Sequence, residues 1–141
     1  MEIINQYHEI VAVLIARVFL GCLFFFQGYD AIFNVKLENV IATFEASFLN
    51  KGIPNFLTAS ASMFTCYTEL IGGTLLIFGL FEYVALYLLG LNLIIAAIGF
   101  GINAALWDTK YVLPRLLLIL FLLVVPQAWN TLSLDYFILK S

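Results

Sequence analysis

Four long apolar stretches constrain this chain most, because each is long enough for a helix that crosses a lipid bilayer. A helix rises about 1.5 Å per residue, so about 20 residues cover a hydrocarbon core roughly 30 Å thick. The sequence therefore predicts an all-α fold, an integral membrane four-helix bundle, in a single domain over residues 1–141. The predicted spans are residues 10–33, 57–81, 84–106 and 111–132.

A water-soluble helical bundle is the alternative, and the apolar runs argue against it. Soluble helices carry a polar face, whereas "LYLLGLNLIIAAIGFG" and "PRLLLILFLLVVP" have almost none. The chain is 64% hydrophobic and 11% charged, which leaves too few polar groups to cover a soluble surface. Glu2 and Glu9 precede the first span and no Lys or Arg does, so we expect this span to be retained rather than cleaved as a signal peptide.

The segment between the first two spans, "LENVIATFEASFL" at residues 37–49, predicts a short amphipathic helix. Its apolar residues recur at helical spacing, and its polar residues fall on the other side. Because that polar side is acidic, burial of the apolar stripe must hold the helix, rather than attraction to anionic lipid. Gly52 and Pro54 then end the helix and lead into the second span.

Charge and cysteine content exclude several classes of function. The net charge is −3 and the six basic residues are scattered, so no basic stripe is present and nucleic acid is not an expected partner. Cys22 and Cys66 lie far apart without a CxxC neighbourhood, and His8 is the only histidine. We therefore expect no metal site and no catalytic residues.

Polar side chains within the spans form two predicted clusters, because polar groups in hydrocarbon are costly unless they are paired or hydrated. Counting depth along the spans brings Arg17, Glu69 and Asn92 to similar levels, with Arg17 paired to Glu69 and Asn92 as a bridge. Two interpretations stay open: a structural pair that fixes helix rotation, or a site for a ligand or proton. The second predicted cluster, near the other interface, contains Gln27, Asp30, Asn103, Asp108 and Arg115.

Four sequence segments stand in an order that resembles the DoxX family. They are "ARVFLGCLFFFQGYDAIF", "ASFLNKGIP", "ELIGGTLLIFGLF" and "TLSLDYF". These look like the Arg-x-x-x-Gly helix, the Gly-x-Pro loop, the Glu-Leu-x-Gly-Gly helix and the Ser-Leu-Asp close of that family. The resemblance covers about residues 17–136. It implies a four-helix protein of the bacterial inner membrane whose relatives accompany redox systems, as terminal oxidase or thiosulfate:quinone oxidoreductase subunits and as partners of thiol or superoxide defence.

The resemblance also implies site residues. The family's intramembrane arginine and glutamate fall on Arg17 and Glu69, and its late aspartate falls on Asp135. Two departures stand out: Glu82 occupies a loop position that is usually basic, and "PQAWNT" replaces a Gly-Pro-Gly turn. We therefore expect no anion-holding role for that turn.

Three functions follow as hypotheses. We favour an accessory subunit of a larger redox- or quinone-linked membrane complex, without catalytic activity of its own, whose partners are lipids and other membrane subunits. The alternative is a pocket at Arg17, Glu69 and Asn92 for a quinone or a lipid-like molecule. A small transporter or proton path is the weakest hypothesis, because the sequence shows no inverted repeat.

Overall fold

The computed structural model describes residues 2–103 and 112–140, and these residues form helices and connecting turns without any strand. A π-helical turn, Asp30–Asn34, extends the first helix, and a 3-10 turn, Gln127–Trp129, precedes the last. The six α-helices are α1 (Glu2–Tyr29), α2 (Leu37–Phe48), α3 (Asn55–Phe78), α4 (Glu82–Asn103), α5 (Val112–Val124) and α6 (Leu134–Lys140).

Three segments are long and apolar enough to cross a membrane, namely Tyr7–Asn34, Asn55–Phe78 and Glu82–Asn103. They correspond to the first three predicted spans. α5 is apolar but has only 13 residues, and it ends at Val124 rather than at residue 132. Pro126 explains this early end, since proline lacks an N–H group and disfavours helix at the residue before it. The residues just before α5 lie outside the described part of the chain.

Glycines set how α1 packs against α3. A Cβ atom on Gly28 would clash with the backbone of Leu70, and one on Gly73 would clash with the backbone of Phe25. The two backbones therefore approach as closely as small residues allow. These contacts fix an antiparallel register, in which Gly28 near the end of α1 lies beside Leu70 of α3, and Arg17 lies beside Gly79 just after α3.

The buried apolar core lies between α1, α3, α4 and α5. Its members are contributed by all four helices, so α5 packs with the three longer ones. Leu89 of α4 lies against Gly72 of α3, and Ile119 of α5 lies near Gly90 of α4. The rest of this core includes Leu20, Phe24, Leu76, Leu86 and Leu122.

α2 occupies the segment predicted to form the amphipathic helix. Its side chains form a ladder of local hydrogen bonds, from Thr43 Oγ1 to the Asn39 carbonyl at 2.7 Å and from Ser47 Oγ to the Thr43 carbonyl at 2.8 Å. Phe48, at its end, is buried. The helix is thus attached to the other helices at its C-terminal end, while Asn39 and Thr43 remain exposed.

Candidate functional site

The first polar site, which we call the glutamate cluster, consists of Gln27, Glu69, Asn92 and Arg115. Glu69 is 4% exposed, and its Oε1 accepts two hydrogen bonds. Gln27 Nε2 of α1 donates one at 3.0 Å, and Asn92 Nδ2 of α4 donates the other at 3.1 Å. Amide groups on two neighbouring helices therefore hold the carboxyl group of α3.

Arg115 of α5 is the fourth member of the glutamate cluster. Its guanidinium carbon lies 5.5 Å from the centroid of the Phe24 ring, within the range of a cation–π interaction. Arg115 also interacts electrostatically with Glu69, although no direct ion pair joins these two side chains. A positive charge held over an aromatic ring thus faces the buried acid.

Asn92 has an unsatisfied group at the centre of this cluster. The side chain is fully buried, and within residues 2–103 and 112–140 its Oδ1 has no hydrogen-bond partner. Exchanging the amide oxygen and nitrogen would not remove the unsatisfied group, because Nδ2 would then no longer donate to Glu69. A buried acceptor left without a donor destabilises a fold by about 1–3 kcal/mol. This oxygen is therefore a point at which a hydroxyl group or a water molecule would bind favourably.

The second site, which we call the arginine cluster, consists of Arg17, Glu82, Asn130 and Asp135. Arg17 is 1% exposed, and its Nη2 donates to the carbonyl of Leu132 at 2.6 Å. Glu82 and Asp135 are the negative charges that act on it. Its Nε and Nη1 have no hydrogen-bond partner among the described residues.

Gly79, at the end of α3, makes room for this arginine. It adopts a left-handed conformation with φ of 67°, and a Cβ atom there would overlap Nη1 of Arg17. Only glycine combines that backbone angle with an absent side chain. The glycine therefore both ends α3 and opens the space that the guanidinium fills.

Backbone hydrogen bonds attach the chain after α5 to the turn between α3 and α4. The backbone N–H of Glu82 donates to Asp135 Oδ2 at 3.1 Å, and the backbone N–H of Asp135 donates to the Gly79 carbonyl at 3.0 Å. Asn130 Nδ2 donates to Glu82 Oε2. Ser133 caps α6, since its Oγ accepts from the backbone N–H of Tyr136 at 3.2 Å. The arginine cluster thus joins distant parts of the sequence.

Comparison with known proteins identifies the family. A family model described as DoxX matches residues 12–102, which is more than half of the chain. The chain belongs to the DoxX family. With three helices that can cross a membrane, it is a DoxX membrane protein. No curated protein matches the chain, and no solved structure does.

The DoxX match covers only part of the two clusters. Five members lie within the matched residues, namely Arg17, Gln27, Glu69, Glu82 and Asn92, whereas the C-terminal members such as Asp135 lie beyond them. Cys22 and Cys66 are free thiols. Among the residues that this DoxX structure describes, no group of three or more His, Cys, Asp or Glu could hold a metal ion.

The predicted pair between Arg17 and Glu69 is corrected to two separate clusters in this DoxX protein. The register of α1 on α3 places Gln27 beside Glu69 and Arg17 beside Gly79. Gly79 and Glu69 are roughly 15 Å apart along α3 at the helical rise per residue. The predicted depth of Arg17 in the bundle was wrong because it assumed a helix that starts at Ile10, whereas α1 begins at Glu2.

The second predicted cluster does not form one group. Gln27 and Arg115 belong to the glutamate cluster. Asp30 is exposed and accepts a hydrogen bond within its own helical turn, and Asn103 is exposed at the end of α4. Asp108 lies outside the described residues.

Sequence reasoning missed two members of the arginine cluster. The sequence marks Glu82 only as a departure from the family pattern, and it predicts no role for Asn130. A signal was present, because an acidic residue at the first position of α4 and an asparagine after a proline-containing turn are typical of residues that cap and anchor chain ends. Asp135 was expected only from the family resemblance, without its contact to Glu82.

Proposed function

We propose that this protein is an accessory subunit of a larger membrane complex and has no catalytic activity of its own. One observation carries the proposal: the buried polar side chains lie between the helices, while large apolar side chains cover the outer surface of the protein. A surface of this kind suits contacts with lipid and with other membrane helices. The two polar clusters then serve to fix how the helices pack.

The proposed setting is the inner membrane of a bacterium. In it α5 forms the fourth span of a four-helix bundle, and α2 lies at the interface. The described part of α5, Val112–Val124, contributes 13 residues, or about 20 Å, to that span. The exposed polar residues of α2, Asn39 and Thr43, would face water.

The link to a redox or quinone-linked complex is the part of the proposal that depends on the family. The resemblance to the DoxX family implies that the protein associates with oxidases or quinone-linked oxidoreductases. Its apolar outer surface is suited to such an assembly. We therefore expect the partner to be a membrane subunit that carries the chemistry.

A scan of the outer surface tests this function. One exposed apolar residue on each of α1, α3, α4 and α5 is replaced by tryptophan: Ile15→Trp, Ile71→Trp, Ile94→Trp and Leu117→Trp, at positions that are 62%, 55%, 56% and 58% exposed. A side that faces lipid tolerates the larger ring, whereas a side that packs against a partner does not. We expect one or two variants to lose a co-purifying membrane polypeptide after extraction in mild detergent.

The other variants serve as matched controls, since all four replace similarly exposed aliphatic side chains. Thermal stability of each purified variant shows whether the protein itself is intact. Purification of the wild type only as a monomer or homodimer, with four tolerated substitutions, would contradict an accessory role.

A second candidate function is binding of a small amphiphile at the glutamate cluster, with a quinol or a lipid-like molecule as ligand. The unpaired Asn92 Oδ1 favours it, because a ligand hydroxyl would supply the missing donor. A bound ligand raises thermal stability, and the rise grows with the logarithm of its concentration relative to Kd. Glu69→Gln is expected to abolish stabilisation by a quinol. Stabilisation that persists in this variant would make the cluster purely structural.

A further inference from the structure

A cleft beside the arginine cluster has no role in the proposed accessory function. It measures about 330 Å³ and lies where α3 turns into α4 and α6 begins. Five polar side chains line it, those of Glu82, Gln127, Asn130, Ser133 and Asp135. Two aromatic rings, Tyr83 and Tyr136, also line it, together with Ala128.

Three of the lining residues each have an oxygen that accepts no hydrogen bond from the part of the chain that the structure describes. Glu82 is only 7% exposed; Asn130 bonds its Oε2, and the described residues provide no donor to its other oxygen. Asp135 uses Oδ2 to accept from the Glu82 backbone, which leaves Oδ1. Asn130 donates through its amide nitrogen and keeps its amide oxygen. The cleft wall, which also carries the amide of Gln127, therefore holds three acceptor oxygens to which no described residue donates.

The charge balance points to the same kind of occupant. Arg17 is the cation that acts on Glu82, and it offsets one of the two carboxylates. It does so from behind the cleft wall, because its hydrogen bond goes to the Leu132 carbonyl and Arg17 does not line the cleft. One negative charge remains in excess at the cleft.

We propose that this cleft binds a primary ammonium group, carried either by the headgroup of an aminolipid or by a free amine. An ammonium group has three N–H donors and one positive charge, which match the three acceptor oxygens and the excess carboxylate. The rings of Tyr83 and Tyr136 add two aromatic surfaces of the kind that attract cations. A quaternary ammonium group has the charge without the donors and fits less well.

The first test uses the unmodified full-length protein in detergent. Native mass spectrometry and thermal unfolding compare phosphatidylethanolamine with phosphatidylcholine of the same acyl chains, which differ in the N–H donors. We expect phosphatidylethanolamine to bind about tenfold more tightly, as the loss of charge-assisted hydrogen bonds predicts. Free ethanolamine is added in a separate arm. If it stabilises the protein alone, a free amine suffices; if only the lipid binds, the headgroup is the source.

Equal affinity for the two lipids, together with no effect of ethanolamine, would overturn the proposal. Two variants sharpen the test, Glu82→Gln and Asp135→Asn, which remove charge and keep shape. Each should lower the affinity for phosphatidylethanolamine about tenfold and leave phosphatidylcholine unchanged. Glu38→Gln, on the exposed side of α2, is the matched control. Wild-type affinity in folded Glu82→Gln and Asp135→Asn would also overturn it, and the comparison of lipids decides without any variant that misfolds.

Discussion

The glutamate cluster and the arginine cluster both bury an ionisable side chain, but they hold it in different ways. Glu69 is held by side-chain amides of two neighbouring helices, with Arg115 at a distance. Arg17 is held by a backbone carbonyl and by two acids that belong to a turn and to the start of α6. The first cluster connects helix to helix, whereas the second connects a helix to the end of the chain.

This difference shows what each cluster stabilises. Loss of a contact in the glutamate cluster leaves the helices packed through their apolar core and through the glycines between α1 and α3. Loss of the guanidinium in the arginine cluster leaves two carboxylates near each other, without the cation that acts on Glu82. We therefore expect the arginine cluster to be the more sensitive of the two.

The largest expected effect is that of Arg17→Met. Removing one member of a buried charged group costs about 3–5 kcal/mol, because the remaining charges lose their compensation. The hydrogen bond to Leu132 is lost as well, so the segment after α5 should be cut faster in limited proteolysis. Unfolding in a denaturing detergent measures the change in stability.

Arg115→Met is the matched control for this prediction. It removes an arginine that lies over the ring of Phe24 and acts on Glu69 without a direct ion pair, and cation–π interactions contribute about 0.5–2 kcal/mol. Its proteolysis pattern should resemble that of the wild type. A larger loss for Arg115→Met than for Arg17→Met would reverse the order of the two clusters.

The next effect in size is that of Gly79→Ala, which separates backbone strain from contact with Arg17. Gly79 and Gly52 both have positive φ, at 67° and 72°, but only Gly79 faces a side chain that an added Cβ would meet. Left-handed strain costs about 1–2 kcal/mol at either site. Gly79→Ala should therefore lose clearly more stability than Gly52→Ala, since it also displaces the guanidinium. Equal losses in thermal unfolding would mean that Arg17 moves aside freely.

The positions of the first three spans could be predicted from the sequence, because an apolar run of sufficient length determines a membrane helix almost regardless of its neighbours. The axial register of one helix against its neighbour could not be predicted from the sequence. It depends on where the glycines of α1 meet those of α3, and a sequence shows the glycines but not which of them touch. An offset of two to three turns moved Arg17 from Glu69 to Gly79.

The end of the chain was predictable only in part, for a related reason. Pro126 stood in the sequence as a signal that α5 ends before residue 132. The partner of Asp135 is the backbone of Glu82, and the two residues are far apart in sequence. Such a contact follows from packing of the helices, which local patterns do not encode.

The smallest expected effect concerns Asn92, and it tests whether the glutamate cluster is complete as it stands. Asn92→Leu removes a hydrogen bond to Glu69 worth about 1 kcal/mol, and it also removes the unpaired Oδ1, which costs about 1–3 kcal/mol. The two changes offset each other, so stability in detergent should shift little. Gln27→Leu removes only a hydrogen bond and should lose about 1 kcal/mol. If Asn92→Leu is instead the more damaging of the two, a hydroxyl or a water molecule already satisfies Oδ1 in the native protein, and the glutamate cluster binds something that the arginine cluster does not.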